Sequence, residues 1–473
     1  MKRFLKWFFG LWLVATIASG IYFWPLIDQV IRFNPFVAEA DFAEPSSPTE
    51  AREQDFDYLA TVLDYDRSFS PAAREQFLTR LADAKDRAGE MSDAQFFLET
   101  HALMALADNA HTGGDNVAAF RQFNRSGLDF YPFADGYFAV RAHQSNEALL
   151  GQKLVSIDGK DIAEMLAGLA QYSGGLDAQR NYSALHLLRS PELLHAAGLA
   201  SAPDGVTIIL ENAEGLQSEH KLSAIAPAAE TEFAYRHPYH VLRAEPLPDE
   251  GGEWVRVLDG KTVKPPLTLT DDGDLVLSKP MGSGIYLRSN FLVEYPGHEV
   301  KSQLVDALSE APAGGYDFVV VDLRWNPGGD LGNAVPFAKR LGEALSADGK
   351  VYVLVGPQTF SAAIVTAALI KQYAGERMVL VGEPMGDRLQ FWAERGEGFV
   401  LPNSGYHIAY STGYHDWENS CSGDTIEHCF PVVEREAKPI GKLTLDHRIQ
   451  PTFAQFAAGE DPVLAWALDQ AAK

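Results

Sequence analysis

Two stretches of this chain hold the groups that could do chemistry. In Phe318-Val319-Val320-Val321-Asp322-Leu323-Arg324-Trp325-Asn326-Pro327-Gly328-Gly329, an apolar run breaks into charge, amide and paired glycine. In Val351-Tyr352-Val353-Leu354-Val355-Gly356-Pro357-Gln358-Thr359-Phe360-Ser361-Ala362-Ala363, a second run turns through Gly-Pro, and Ser361 stands where a helix should begin. One end is rich in backbone N–H donors and the other offers a hydroxyl. Side by side they would form an oxyanion hole facing a nucleophile. Spacing alone leaves Ser361 equally an ordinary helix N-cap. His111 lies in Asp108-Asn109-Ala110-His111-Thr112-Gly113-Gly114, a turn delivered by a helix. Alone, such a loop histidine is a surface or packing residue as a rule.

The elements that must position these groups are legible in outline. Each apolar run suits a strand buried on both faces of a parallel sheet, whose site lies at the strands' carboxyl ends. Around them strand and helix alternate: Ile285 to Arg288 as strand, Glu299 to Glu310 as helix, a helix from about Asn333 to Leu345, and Met378 to Val381 as strand. Parallel strands with right-handed crossovers are the expected topology. Phe399 to Gly405 and Tyr406 to Tyr410 read as a hairpin. Upstream, Ser70-Pro71 and the Ser92/Gln95 capping box start helices, the second ending near Ala107. From Gly136 short strands take over. Leu149 to Ile162 reads as a strand and an Asp158-Gly159 turn, with a helix from Ala163. Another helix spans Ser190 to Ala197 before a strand from Gly205 to Leu210.

Composition narrows the setting. The chain has 473 residues, a formal charge of -25 and 46% hydrophobic residues. That length points to roughly three domains at ~150 residues each. The acidity argues against nucleic acid as a partner. No cofactor is expected, and no Cys/His cluster points to a metal. The only cysteines, Cys421 and Cys429, fit one small disulfide loop in an oxidising compartment. Lys2, Arg3 and Lys6 precede Trp7 to Leu26, which carries no charge and is long enough to span a hydrocarbon core of ~30 Å. This reads as an uncleaved anchor, with a cleaved signal peptide as competitor. Either way the body lies outside the cytoplasm, in a periplasmic or other extracytoplasmic space.

Taken together, Asp322-Leu323-Arg324-x-Asn326-x-Gly328-Gly329, Thr359-Phe360-Ser361-Ala362-Ala363, Val381-Gly382-Glu383-Pro384, Leu401-Pro402-Asn403-Ser404-Gly405 with Tyr410-Ser411-Thr412, and Gly459-Glu460-Asp461-Pro462 resemble the carboxy-terminal processing (tail-specific) serine peptidases and their tricorn relatives. The resemblance implies an α/β core of Clp-protease/crotonase type, an N-terminal helical domain and a PDZ-like α+β module. It implies Ser361 as nucleophile, with Gly328, Gly329 and Ala362 as oxyanion-hole candidates. Asp322, Arg324 and Asn326 become scaffold for the glycine turn. The tail-specific branch uses a lysine base after Val-Gly-Glu; here that place falls on Arg388, which cannot accept a proton near neutral pH. The tricorn-like branch uses a histidine, and His111 matches. An imidazole, titrating ordinarily near ~6.5, can take the serine proton and return it to the leaving amine. Asp446, Glu418 and Glu383 are the candidates to orient it.

The expected organisation is an anchor or signal segment at 1–27, a spacer at 28–56, and a helical domain at 57–130. A PDZ-like module at 131–227, a strand-rich connection at 228–283 and a peptidase core at 284–473 follow. The PDZ-like module would bind an extended polypeptide by strand addition. Gly136-Tyr137-Phe138-Ala139-Val140 is the nearest candidate for its carboxylate-binding loop. Two other readings remain: a catalytically inactive relative serving as a polypeptide-binding scaffold, and an acyl-CoA enzyme of crotonase type.

Overall fold

The apolar runs form the centre of a six-stranded sheet in a computed structural model that describes residues 31–114, 117–227, 239–246, 253–258, 262–270, 275–394 and 398–473. The expected anchor at 1–27 and part of the 228–283 connection lie outside the described residues. Among the described residues no helix is long and apolar enough to cross a membrane.

The core strands are β1 (Val276–Met281), β2 (Gly284–Ser289), β3 (Tyr316–Asp322), β4 (Leu345–Val355), β5 (Met378–Gly382) and β6 (His447–Arg448). They lie side by side in the order β6-β5-β4-β3-β2-β1. All neighbours are parallel except β1, which pairs antiparallel with β2. Helices α1 (Val300–Ala307), α2 (Ala334–Ala344) and α3 (Ala362–Ala374) supply the connections, and α4 (Pro462–Ala471) closes the chain. Period-two alternation divides the strands between two layers. Val319, Val321, Val351, Val353 and Val355 pack with α1 to α3, while Phe318, Val320, Tyr352 and Leu354 pack on Val463, Leu464 and Ala467 of α4. Residues apolar on both faces therefore became a sheet covered on both faces. The strand Val276–Met281, read from sequence into the connecting segment, is the outer strand of this sheet.

A second sheet runs Leu128–Phe133, Gly136–His143, Lys153–Ile157, Gly205–Glu211, Gln217–Ser223, each antiparallel to the next. Asp158 and Gly159 take positive φ (47° and 79°) in the expected tight turn. Gly136 to Val140, read as a possible carboxylate-binding loop, lies instead in a strand paired with Leu128–Phe133, with a register shift between Asp129 and Phe130 that leaves Val140 out of the pairing. The upstream helices start as their caps dictate. Ser70 accepts from Ala73 N–H, and Ser92 and Gln95 form the capping box of Asp93–Ala105.

The hairpin of Phe399–Val400 with His407–Ala409 also pairs with Gly113–Gly114, just past His111. This long-range pairing draws the helical region onto the core. Beyond it, Gln390–Ala393 pairs with Gly413–Asp416, and Cys421 is bonded to Cys429 with Cα atoms 5.9 Å apart. That loop is short, so in the chain-entropy picture the bond contributes about 2–3 kcal/mol. The Cys421→Ser/Cys429→Ser double variant is expected to lose that much in urea denaturation. A loss below about 0.5 kcal/mol would show that the loop is held by packing alone.

Candidate active site

Ser361 joins β4 to α3 with φ 54° and ψ -124°. Positive φ is sparsely populated for a residue with a Cβ and costs on the order of 1–3 kcal/mol. An N-cap residue ordinarily sits in the extended region and turns its oxygen onto the first helical N–H groups. Ser361 makes no such side-chain cap bond. The hydroxyl therefore sits at a strained strand-to-helix corner and does not serve as an ordinary cap. The turn before it is fixed by Thr359, whose Oγ1 donates to Leu323 O (2.8 Å) and accepts from Gly356 N–H (3.0 Å).

Opposite lies the glycine turn after β3. Gly328 has φ 111°, and a Cβ there would fall 2.6 Å from Ser361 Cβ and 2.9 Å from Ala362 N. Only glycine lets these two loops touch. Asn326 clasps them. Its Nδ2 donates to Ser289 O (2.9 Å), its Oδ1 accepts from Gly328 N–H (2.8 Å), and its carbonyl accepts from Phe360 N–H (3.1 Å). Gly328 N–H, expected as an oxyanion donor, is therefore committed to Asn326, and Gly328 contributes close approach instead. Ala362 N–H occupies the first helical position, where no intrahelical acceptor exists. Gly329 N–H follows the same turn, with Gly329 at φ 130°.

Below the turn, Arg324 spans two carboxylates. It donates to Asp322 Oδ1 through Nε (2.9 Å) and to Oδ2 through Nη2 (2.6 Å), and to both oxygens of Asp461 (2.9 and 2.7 Å). Tyr286 OH donates to Asp322 Oδ2 at 2.8 Å. Burial works to raise the Asp322 carboxyl, but the Arg324 charge and hydrogen bonds, with Tyr286, outweigh it and hold it below its ordinary value. Asp461 also caps α4 by accepting from Leu464 N–H. The end of β3 is thus locked to the last helix.

His111 reaches this corner by packing. Its ring stacks on Phe360, the residue before Ser361, at 4.3 Å between centroids, and on Phe391 at 5.1 Å. Its turn is held from behind. Thr112 Oγ1 donates to Asp66 Oδ2 (2.7 Å), Ser411 N–H donates to the same oxygen (2.8 Å), and Asn109 Nδ2 donates to Ser411 Oγ (2.9 Å). Arg388, at the place where the resemblance expects a lysine, lies 3.6 Å from Asp108 Oδ2 on the His111 turn. It fastens that turn to the core.

A carboxylate lies against His111, and it is Asp387: Oδ2 is 3.7 Å from Nδ1. Its other oxygen accepts from Arg388 N–H at 2.8 Å. Burial pushes the Asp387 carboxyl up to about 6, against the Arg388 N–H and charge, and Asp108 adds to the rise. In the sequence Asp387 stands directly before Arg388, the place where the resemblance expects a lysine. The available signal was an acid beside the lysine's expected place. The three carboxylates expected to orient His111 stand in other settings. Asp446 Oδ2 accepts from Leu380 N–H (2.8 Å), pinning β6 to β5. Glu418 belongs to the turn closed by Asp416 Oδ1 on its N–H (3.1 Å). Glu383 lines a cavity, where burial raises its carboxyl to about 7 despite Arg448 and Arg324.

No family model matches the chain, and no curated protein sequence matches it. Among solved structures, mature CPAF complexed with lactacystin aligns with TM-score 0.52 and 12% identity over 89% of this chain and 97% of that one. Mature CPAF aligns with TM-score 0.53 and 12% identity over 89% and 96%. The photosystem II D1 C-terminal processing protease aligns more weakly, with TM-score 0.36 and 13% identity over 86% and 98%. The CPAF likeness is one of fold across nearly the whole of both chains. Breaking the clamp beneath the site has a calculable cost. Arg324→Met leaves two buried carboxylates without their cation and is expected to lose about 3–5 kcal/mol. Urea denaturation at pH 7 reads this directly, and an unchanged midpoint would refute the clamp.

Proposed function

We propose that this chain is a serine peptidase acting through an acyl-enzyme at Ser361, with His111 as general base. The strained corner at Ser361, its hydroxyl off the helix cap and His111 laid on the preceding ring, is the observation that carries this reading. His111 takes the Ser361 proton as Oγ attacks a peptide carbonyl, and returns it to the leaving amine. Ala362 N–H and Gly329 N–H receive the developing oxyanion. Asp387 stabilises the imidazolium and fixes its orientation. The 3.7 Å contact is looser than a hydrogen bond, as catalytic contacts often are before substrate binds. This gap also favours the second reading, a catalytically inactive polypeptide-binding scaffold.

The Ser-His pairing is supported by the stacking of His111 on Phe360, next to Ser361, and by an arginine, which cannot act as base, at the lysine's expected place. The substrate class is polypeptide, in keeping with the tail-specific and tricorn resemblance and a PDZ-like reading of the second sheet. The disulfide and the apolar segment Trp7 to Leu26 support an anchored, extracytoplasmic protein.

A fluorophosphonate is expected to label Ser361, and Ser361→Ala to abolish both labelling and turnover of a denatured protein substrate. Intact substrate with no labelling would favour the scaffold. Asp387→Asn is expected to lower kcat by about 10²–10⁴. The sign of the pH effect follows from its raised value. Asp387 is neutral below about 6 and charged above it, so wild-type kcat should climb as pH rises through that range. A profile identical in Asp387→Asn would remove Asp387 from the mechanism.

A further inference from the structure

A cavity of about 360 Å³ opens where the second sheet, the connecting segment and the carboxyl ends of β3, β4 and β5 meet. One wall is Gly356-Pro357-Gln358, the turn that leads into Ser361, and Arg324-Trp325, which leads into the Asn326 clasp. The cavity therefore shares its wall with both loops of the candidate active site.

Its other walls are rich in aromatic rings, with Glu383, Arg448, Glu460 and Asp461 also on the lining. Tyr131, Phe133, Tyr137, Tyr182 and Phe456 line it together with Trp325. Phe133 stands edge-on to Tyr131 at 5.4 Å and tilted to Phe456 at 5.0 Å, and Tyr131 lies tilted to Trp325 at 6.2 Å. Such a frame offers ring edges and faces to one more ring placed among them. The raised carboxyl of Glu383 marks the space as poorly solvated, which strengthens the attraction for an apolar occupant. Size and lining match a site that buries a compact apolar group.

We infer that this cavity is a specificity pocket for an aromatic side chain of the polypeptide, close to the bond cleaved. The inference deepens the peptidase reading and rests on it for the direction in which the chain runs past Ser361. Ala178, on the helix Asp177–Leu187, lines the cavity, so Ala178→Phe would fill it from within.

The test uses the full chain carrying Ser361→Ala and blocked alanine heptapeptides with a single Phe at each position in turn, measured by calorimetry. At one position Phe is expected to tighten binding about 10–100-fold over the all-alanine peptide. Ala178→Phe should abolish that difference while leaving all-alanine binding unchanged. No Phe preference at any position overturns the inference without any pocket variant having to fold, and so does a preference untouched by Ala178→Phe. Turnover by the wild type separates the two claims. Cleavage without a Phe preference sinks the pocket and keeps the peptidase. A Phe preference in binding that Ala178→Phe removes, with no fluorophosphonate labelling, keeps the pocket and sinks the peptidase.

Discussion

One buried carboxylate, Asp66, joins the helical region to the core. It accepts from Thr112 Oγ1 and from Ser411 N–H on one oxygen, and from Ser68 N–H on the other. Burial raises this carboxyl while the surrounding donors oppose the rise. Satisfied in this way, a buried charge specifies a unique geometry. Left without its partners it would oppose folding. The geometry it specifies is the one that matters here, because Thr112 is the residue after His111. Without Asp66 the histidine turn would lose this shared anchor and rest on Asn109 and Thr112 against Ser411 Oγ, the pairing of Gly113–Gly114 with Ile408–Ala409, and the ion pairs of Asp108.

The core side of the site is built on a different principle. The clamp of Asp322, Arg324 and Asp461 lies at the end of β3. Above it, Asn326 and Thr359 satisfy backbone groups that no regular element satisfies. These bonds are buried and numerous enough to over-determine the turn, so Ser361 can be held at positive φ. Gly328 is the steric complement of that strain. The two loops meet where a Cβ on Gly328 would fall 2.9 Å from Ala362 N.

His111 belongs to a longer column of rings. Phe391 stacks on it, His415 stacks on Phe391 at 4.6 Å, and Phe430 stacks on His415 at 5.3 Å. Phe430 follows Cys429 directly, so the disulfide loop stands at the far end of the column from Ser361. The column positions the imidazole laterally, while Asp387 bears on its Nδ1 edge. Aromatic packing and one carboxylate thus divide the work of orienting a single ring.

Local physics was legible in the sequence. Continuous apolar runs became doubly buried strands, Ser70 and Ser92 capped their helices, and Asp158-Gly159 turned, because each outcome depends on neighbours within a few residues. The glycines and the serine at the two strand ends were visible for the same reason. Partnerships across the fold were not. Asp387 faces His111 because β5 lies beside β4 and the hairpin of Phe399 to Ala409 draws in Gly113–Gly114, and no spacing encodes that. Asp446 and Glu418 were equally plausible carboxylates by type; packing set the Asp446 carboxylate on Leu380 N–H and placed Glu418 in a turn where its backbone N–H donates to Asp416 Oδ1. Gly136 to Val140 read as a binding-loop candidate, and its place in the strand Gly136–His143 came from pairing with Leu128–Phe133. The chain alone determined which groups could react. The tertiary structure decided which of them meet, because contact between distant residues is set by sheet order and shared burial rather than by local preference.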